Sequence, residues 1–186
     1  MAPIEVVFGI VVFVFALIGL GRGFLREMGA TTVLVLVLFF LSRFDGYLDR
    51  GMLKGITLID STVTTEQARQ VQCWVLLFII VGVTFLSYHG ETLAFPGHLN
   101  EGVQSVLLGL LGGTLNGYLV AGSIWYYMDK FGYPIRWLGF APEQFSDAAH
   151  TAIQYLPLNF LGQPAVLGES LLLYLSVFLI LVRVIR

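Results

Sequence analysis

The sequence predicts an all-α, polytopic integral membrane protein with about five hydrophobic helices. They form a four-helix core and a C-terminal helix, with a short amphipathic interfacial helix between them. Three observations carry this. Charged residues make up 12% of the 186 residues and hydrophobic ones 57%, whereas a soluble domain carries about a quarter charged. Mean hydropathy is +0.84. The run from Gly102 to Met128 is charge-free over about 27 residues, roughly 40 Å as a helix, enough to cross a hydrocarbon core of about 30 Å with some tilt.

The first apolar segment runs from Ile4 to Leu20. Met1-Ala2-Pro3-Ile4-Glu5 lacks the positive start of a signal peptide, so the segment is read as a retained span. The second runs from Phe24 to Ser42, with Arg26 and Glu27 in its first turn. Its uncharged part, Met28 to Ser42, is about 15 residues or roughly 22 Å, short for a full span. A polar connection, Arg43 to Gln70, carries most of the charge. Within it Asp60 to Glu66 reads as a helix start capped by Ser61 or Thr62 and running into the third span, Val71 to Tyr88. The link Gly90 to Asn100 turns at Pro96-Gly97.

The fourth segment closes on Trp125, Tyr126 and Tyr127 as an interfacial aromatic belt, and Asp129 and Lys130 mark its exit. In the connection Phe131 to Gln163, residues Phe145, Ala148, Ala149, Ala152, Ile153 and Leu156 are helically periodic. Asp147, His150, Thr151 and Gln154 occupy the other face. That pattern predicts a short amphipathic helix on the membrane surface or packed on the bundle. The last helix is expected to start at Pro164, with Glu169 near one end and Arg183 and Arg186 near the other. The expected organisation is a membrane core over 1–130, an interfacial connection over 131–163 and a C-terminal transmembrane helix over 164–186.

Charge leaves the orientation open. Five spans put Arg22, Arg26, Arg183 and Arg186 on one side. Arg43, Arg50, Lys54, Arg69, Lys130 and Arg136 fall on the other. The count favours an inside N-terminus, while the arginines nearest the first hairpin argue for the reverse. The net charge of −2 gives no reason to expect nucleic acid as a partner.

Small residues recur every fourth position at Ser105, Gly109, Gly113, Gly117 and Ala121. In lipid, close approach over such residues holds helices together. The first or third span, or another subunit, is the expected partner of this face. Thr114 and Asn116 are positioned to add interhelical hydrogen bonds worth about 0.6 kcal/mol each.

Gly21-Arg22-Gly23-Phe24-Leu25-Arg26-Glu27, followed by the Gly109, Gly113 and Gly117 helix with its aromatic end and Asp129, resembles the colicin V production (CvpA) family. The resemblance covers roughly residues 4 to 160. It implies a small four-helix protein of the bacterial inner membrane, associated with toxin production or export, with no agreed biochemical activity. Two features differ from that pattern. Asn116 stands where an arginine often precedes the last glycine, and a fifth hydrophobic segment follows.

Arg22, Arg26 and Glu27 lie at or just inside the membrane boundary, where ionisable groups must pair, snorkel or line a polar cavity. One reading is a hairpin in which Arg22 or Arg26 pairs with Glu27 and Gly19, Gly21 and Gly23 permit the reversal. The other is a proton, ion, lipid or partner site. His89, Glu91, His98 and Glu101 cluster without a zinc or haem spacing. His150 and Cys73 read as structural, and a single cysteine forms no internal disulfide. No nucleophile elbow, metalloprotease, phosphate-loop or dinucleotide motif occurs. Glu5, Glu27 and Glu169 all fall near span ends rather than at a midplane, which argues against an ion-coupled transporter.

The expectation is therefore a non-catalytic scaffold or accessory subunit, with no cofactor and no metal. Its partners would be membrane lipids and other membrane subunits, or a second copy through the small-residue face. An export- or channel-like protein is the alternative, with Arg22, Arg26, Glu27, Thr31, Thr32, Thr114 and Asn116 as the only residues to line a path. A haem or quinone subunit is a third reading, weakened by histidines that all read as loop or surface residues.

Overall fold

A computed structural model describes residues 3–89, 95, 103–135 and 138–185. Its helices are α1 (Ile4–Arg22), α2 (Phe24–Arg43), α3 (Asp45–Ile59), α4 (Thr65–His89), α5 (Val103–Lys130), α6 (Asp147–Gln154), α7 (Pro157–Leu161) and α8 (Leu171–Val184). A small antiparallel hairpin, β1 (Pro164–Val166) and β2 (Glu169–Ser170), precedes α8. The helices α1, α2, α4 and α5 are each long and apolar enough to cross a membrane. The chain is an all-α, multi-pass membrane protein.

One residue joins α1 to α2. Gly23 has φ of +82° and donates its N–H to Gly19 O at 3.0 Å. A side chain at that left-handed angle would be strained, so glycine ends one helix and begins the next without a loop. Gly21 stays inside α1, and Gly19 belongs to a packing contact rather than to the reversal.

The helix α5 is the hub and packs on α1, α2, α4 and α7. Between α2, α4 and α5 the core is aliphatic, with Leu34, Leu38, Leu76, Ile80 and Leu119 buried together. Towards the C-terminal end of α5 it becomes aromatic, around Trp125, Tyr127 and Tyr133. The helix α1 lies antiparallel on another face of α5, with Gly19 beside Gly109 and Phe8 beside Trp125.

Four expectations change. The connection after α2 is largely helical, because α3 fills most of it. Its glycines at 46, 51 and 55 lower helix propensity and hid it. The helix α4 is capped by Thr64, not Ser61 or Thr62. Thr64 Oγ1 accepts from the Gln67 N–H at 3.3 Å, and Gln67 Oε1 accepts from the Thr64 N–H at 3.0 Å. Thr62 instead donates N–H and hydroxyl to Asp60 Oδ1, which holds the Asp60 carboxyl below its ordinary range.

The last helix starts at Leu171, not Pro164. Pro164 opens β1, where its missing N–H is tolerated. Leu167 and Gly168, both at positive φ, turn the chain, and Ser170 caps α8. At 14 residues, roughly 21 Å, α8 is shorter than a full span, and among the described residues four helices rather than five are long and apolar enough to cross. Glu169 accordingly sits in β2 and not in a first helical turn.

The amphipathic helix is present as α6, capped by Ser146, and it packs on α1 and α7. The turn at Pro96-Gly97 lies outside the described residues, as do Glu91, His98 and Glu101.

Candidate functional site

The reversal at Gly23 brings the end of α1 over the first turn of α2. Glu27, one turn into α2, points into the bundle because Gly112 of α5 leaves it room. A Cβ at Gly112 would stand 2.8 Å from the Glu27 Cβ. Both Glu27 and Asn116 have no exposed surface.

Four helices meet at that carboxylate. Oε1 accepts from Arg22 Nη1 of α1 at 3.0 Å. Oε2 accepts from Tyr88 OH of α4 at 2.6 Å and from Asn116 Nδ2 of α5 at 2.7 Å. Asn116 Nδ2 also reaches the backbone carbonyl of Glu27 at 3.1 Å. The Thr31 hydroxyl lies 2.7 Å from Asn116 Oδ1 and 2.9 Å from Glu27 O, with one proton to serve them. The Arg22 guanidinium lies 4.1 Å from the centre of the Tyr88 ring and reaches the Ser87 carbonyl at 3.4 Å. Charge, amide, phenol and cation–π contact thus close on one another, as a buried ion pair requires.

Of the two arginines, Arg22 is the one bonded to Glu27. Arg22, Glu27, Thr31 and Asn116 come together as a polar set. Thr32 and Thr114 do not join it, and each donates to a carbonyl four residues back on its own helix. Tyr88 was missed in the sequence because it reads as the aromatic end of a span.

The small-residue face is occupied within the chain. A Cβ at Gly109 would stand 2.6 Å from Gly19 O, and one at Gly117 would stand 2.9 Å from Val12 Cα. Gly113 lies against the backbone of Phe15, Ala16 and Gly19. Ala121 is buried and Ser105 half-buried. Gly112 and Gly122, outside the fourfold pattern, admit Glu27 and Pro157.

Smaller polar contacts tie down the opposite end. Lys130 Nζ pairs with Asp45 Oδ1 at 2.6 Å and Asp49 Oδ2 at 2.8 Å, while Gln72 Nε2 donates to Asp49 O at 2.8 Å. Trp125 Nε1 donates to Tyr133 OH at 2.9 Å, and that hydroxyl donates to Asp129 Oδ1 at 3.1 Å. Burial pushes the Tyr133 phenol upward. Ser146 Oγ donates to Glu5 Oε1 at 2.6 Å.

Among the described residues no three metal-binding side chains converge. His89 stacks on Phe85, His150 is exposed on α6, and Cys73 is buried with its Sγ 3.9 Å from Tyr127 O.

Fold and site together define a multi-pass helical membrane protein whose core is clasped by a closed polar cluster. Comparison with protein-family models, curated proteins and solved structures gives no match.

Proposed function

We propose that this chain is a non-catalytic membrane scaffold, an accessory subunit of a larger complex in the bacterial inner membrane. The observation that supports it is the closure of the Glu27 cluster. Both carboxylate oxygens and the neighbouring backbone carbonyl are bonded inside the bundle, an arrangement suited to fixing four helices in one geometry.

The resemblance to the colicin V production family supports the same reading. Arg22 and Glu27 come from one motif, Gly109, Gly113 and the adjacent Asn116 from the other, and the two motifs meet in space. Arg43, Arg50, Lys54, Arg69 and Lys130 gather at the end that also holds the start of α1, which favours an inside N-terminus. Native purification in mild detergent with mass spectrometry tests the proposal. A stable co-purifying membrane subunit is expected, and recovery of a free monomer alone overturns it.

An export- or channel-like role in toxin production is the second reading. The Arg22–Glu27 pair favours it, since ionisable groups inside a bundle mark pathways in other membrane proteins. Flux through reconstituted protein that is unchanged in Glu27→Gln would remove that reading.

A further inference from the structure

We propose that the corner between α2 and α3 is a seat for anionic glycerophospholipid. In this seat the headgroup phosphate lies on Arg43, Arg50 and Lys54, and an acyl chain lies along Phe40, Phe44 and Tyr47.

The helix α3 has two unlike faces and no fully buried residue. Leu48, Asp49, Met52 and Ile56 are half-buried on the side that meets the bundle. Tyr47, Arg50, Lys54 and Leu58 follow one another at three- and four-residue spacing on the other side. Tyr47 is 70% exposed, Leu58 78% and Ile59 90%. Water is a poor neighbour for such a face. A headgroup layer suits it, because the apolar groups enter the acyl boundary while cations meet phosphate.

Charge on α3 is sorted by partner. Its carboxylates, Asp45 and Asp49, are both taken by Lys130 of α5. Its cations are not. Arg50 uses only Nε, on Gly46 O at 2.9 Å, and its terminal nitrogens have no protein acceptor among the described residues. Arg43 and Lys54 likewise have no carboxylate partner among them. The outward surface is therefore positive although the segment contains acids.

An aromatic ladder connects this surface to the lipid-facing side of α2. Phe40 stacks on Phe44 at 6.2 Å between centroids, Phe44 meets Tyr47 at 6.5 Å, and Arg50 lies 5.1 Å from the Tyr47 ring centre. The ladder starts within a membrane-crossing helix and ends at a guanidinium. That sequence of chemistry matches one lipid read from acyl chain to phosphate.

The test uses the full chain in nanodiscs made of equal phosphatidylglycerol and phosphatidylcholine, with retained lipids counted by native mass spectrometry. Wild type is expected to keep an excess of phosphatidylglycerol. Each of Arg43→Gln, Arg50→Gln and Lys54→Gln should reduce that excess by about fivefold at most, the effect of one surface cation. The triple variant should return to the bulk ratio, and Arg50→Lys should retain the excess. Circular dichroism on the triple variant confirms that the fold is intact, since all three side chains are exposed. An unselective wild type, or a triple variant with full selectivity, overturns the proposal. So does displacement of the lipid by added inorganic phosphate, which would indicate a free-anion site, or a dimer lost with Arg50, which would make a second copy the occupant.

Discussion

Asn116 of α5 holds Glu27 of α2 by two bonds from one nitrogen, at 2.7 Å to the carboxylate and 3.1 Å to the backbone carbonyl. The side chain that fixes the charge thus also fixes the helix carrying it. Removing either partner strands the other inside the bundle.

Glu27→Gln is expected to destabilise the protein by about 3 kcal/mol, because Arg22 loses its counter-charge and one amide oxygen cannot serve both Arg22 and the Tyr88 and Asn116 donors. Asn116→Leu should cost about 2 kcal/mol by taking one donor each from the Glu27 carboxylate and the Glu27 backbone carbonyl. Thermal unfolding in detergent, followed by tryptophan fluorescence, measures both. Equal melting of wild type and both variants would show that the cluster is not what holds the helices.

The glycines give a paired test. Gly113→Ala puts a methyl group into the backbone of α1 and should cost about 1–3 kcal/mol. Gly82→Ala, on α4, meets nothing within 4 Å and should be neutral or slightly stabilising. The same melting assay separates them, and a penalty shared by both would show that the close approach to α1 is not its cause.

Ser146 serves two elements. Its hydroxyl oxygen accepts from the Ala149 N–H at 3.1 Å as the cap of α6, and its proton goes to Glu5 of α1. Ser146→Ala should lower stability by about 1 kcal/mol. Amide hydrogen exchange should accelerate in α6 while α5 stays protected.

Tyr133 sets an alkaline limit. Its phenol is raised above the ordinary value chiefly by burial, so the unfolded state releases that proton first. The contribution to stability is constant below about pH 10, the unfolded value, and falls as pH rises beyond it. Tyr133→Phe should flatten the loss of stability between about pH 10 and 11, read as melting temperature against pH.

Much of this was legible in the sequence, and the rest fails for identifiable reasons. Continuous apolar runs located α1, α2, α4 and α5, since burial in lipid leaves a signal of length and composition. That Arg22 or Arg26 pairs with Glu27 followed from the cost of leaving the carboxylate alone, but that Arg22 is its partner did not. Which helix fills the glycine face did not, because Gly19 looked like part of a turn and its role depends on Gly109, far along the chain. The helix α3 was hidden because glycine and charge resemble a loop when its partners, Lys130 and Gln72, lie on other helices. Tyr88 and Gly112 became site residues only through the neighbours that the fold brings to them.

The backbone contact between Gly19 and Gly109 also orders events during synthesis. Gly19 leaves the ribosome ninety residues before Gly109. Throughout that interval the strip of the first helix that α5 later covers, Val12, Phe15, Ala16 and Gly19, has no counterpart yet made. Whatever covers the strip in the meantime, lipid or insertion machinery, must come away when α5 arrives. Completion of the bundle is therefore a late exchange of partners rather than a gradual accumulation of neighbours.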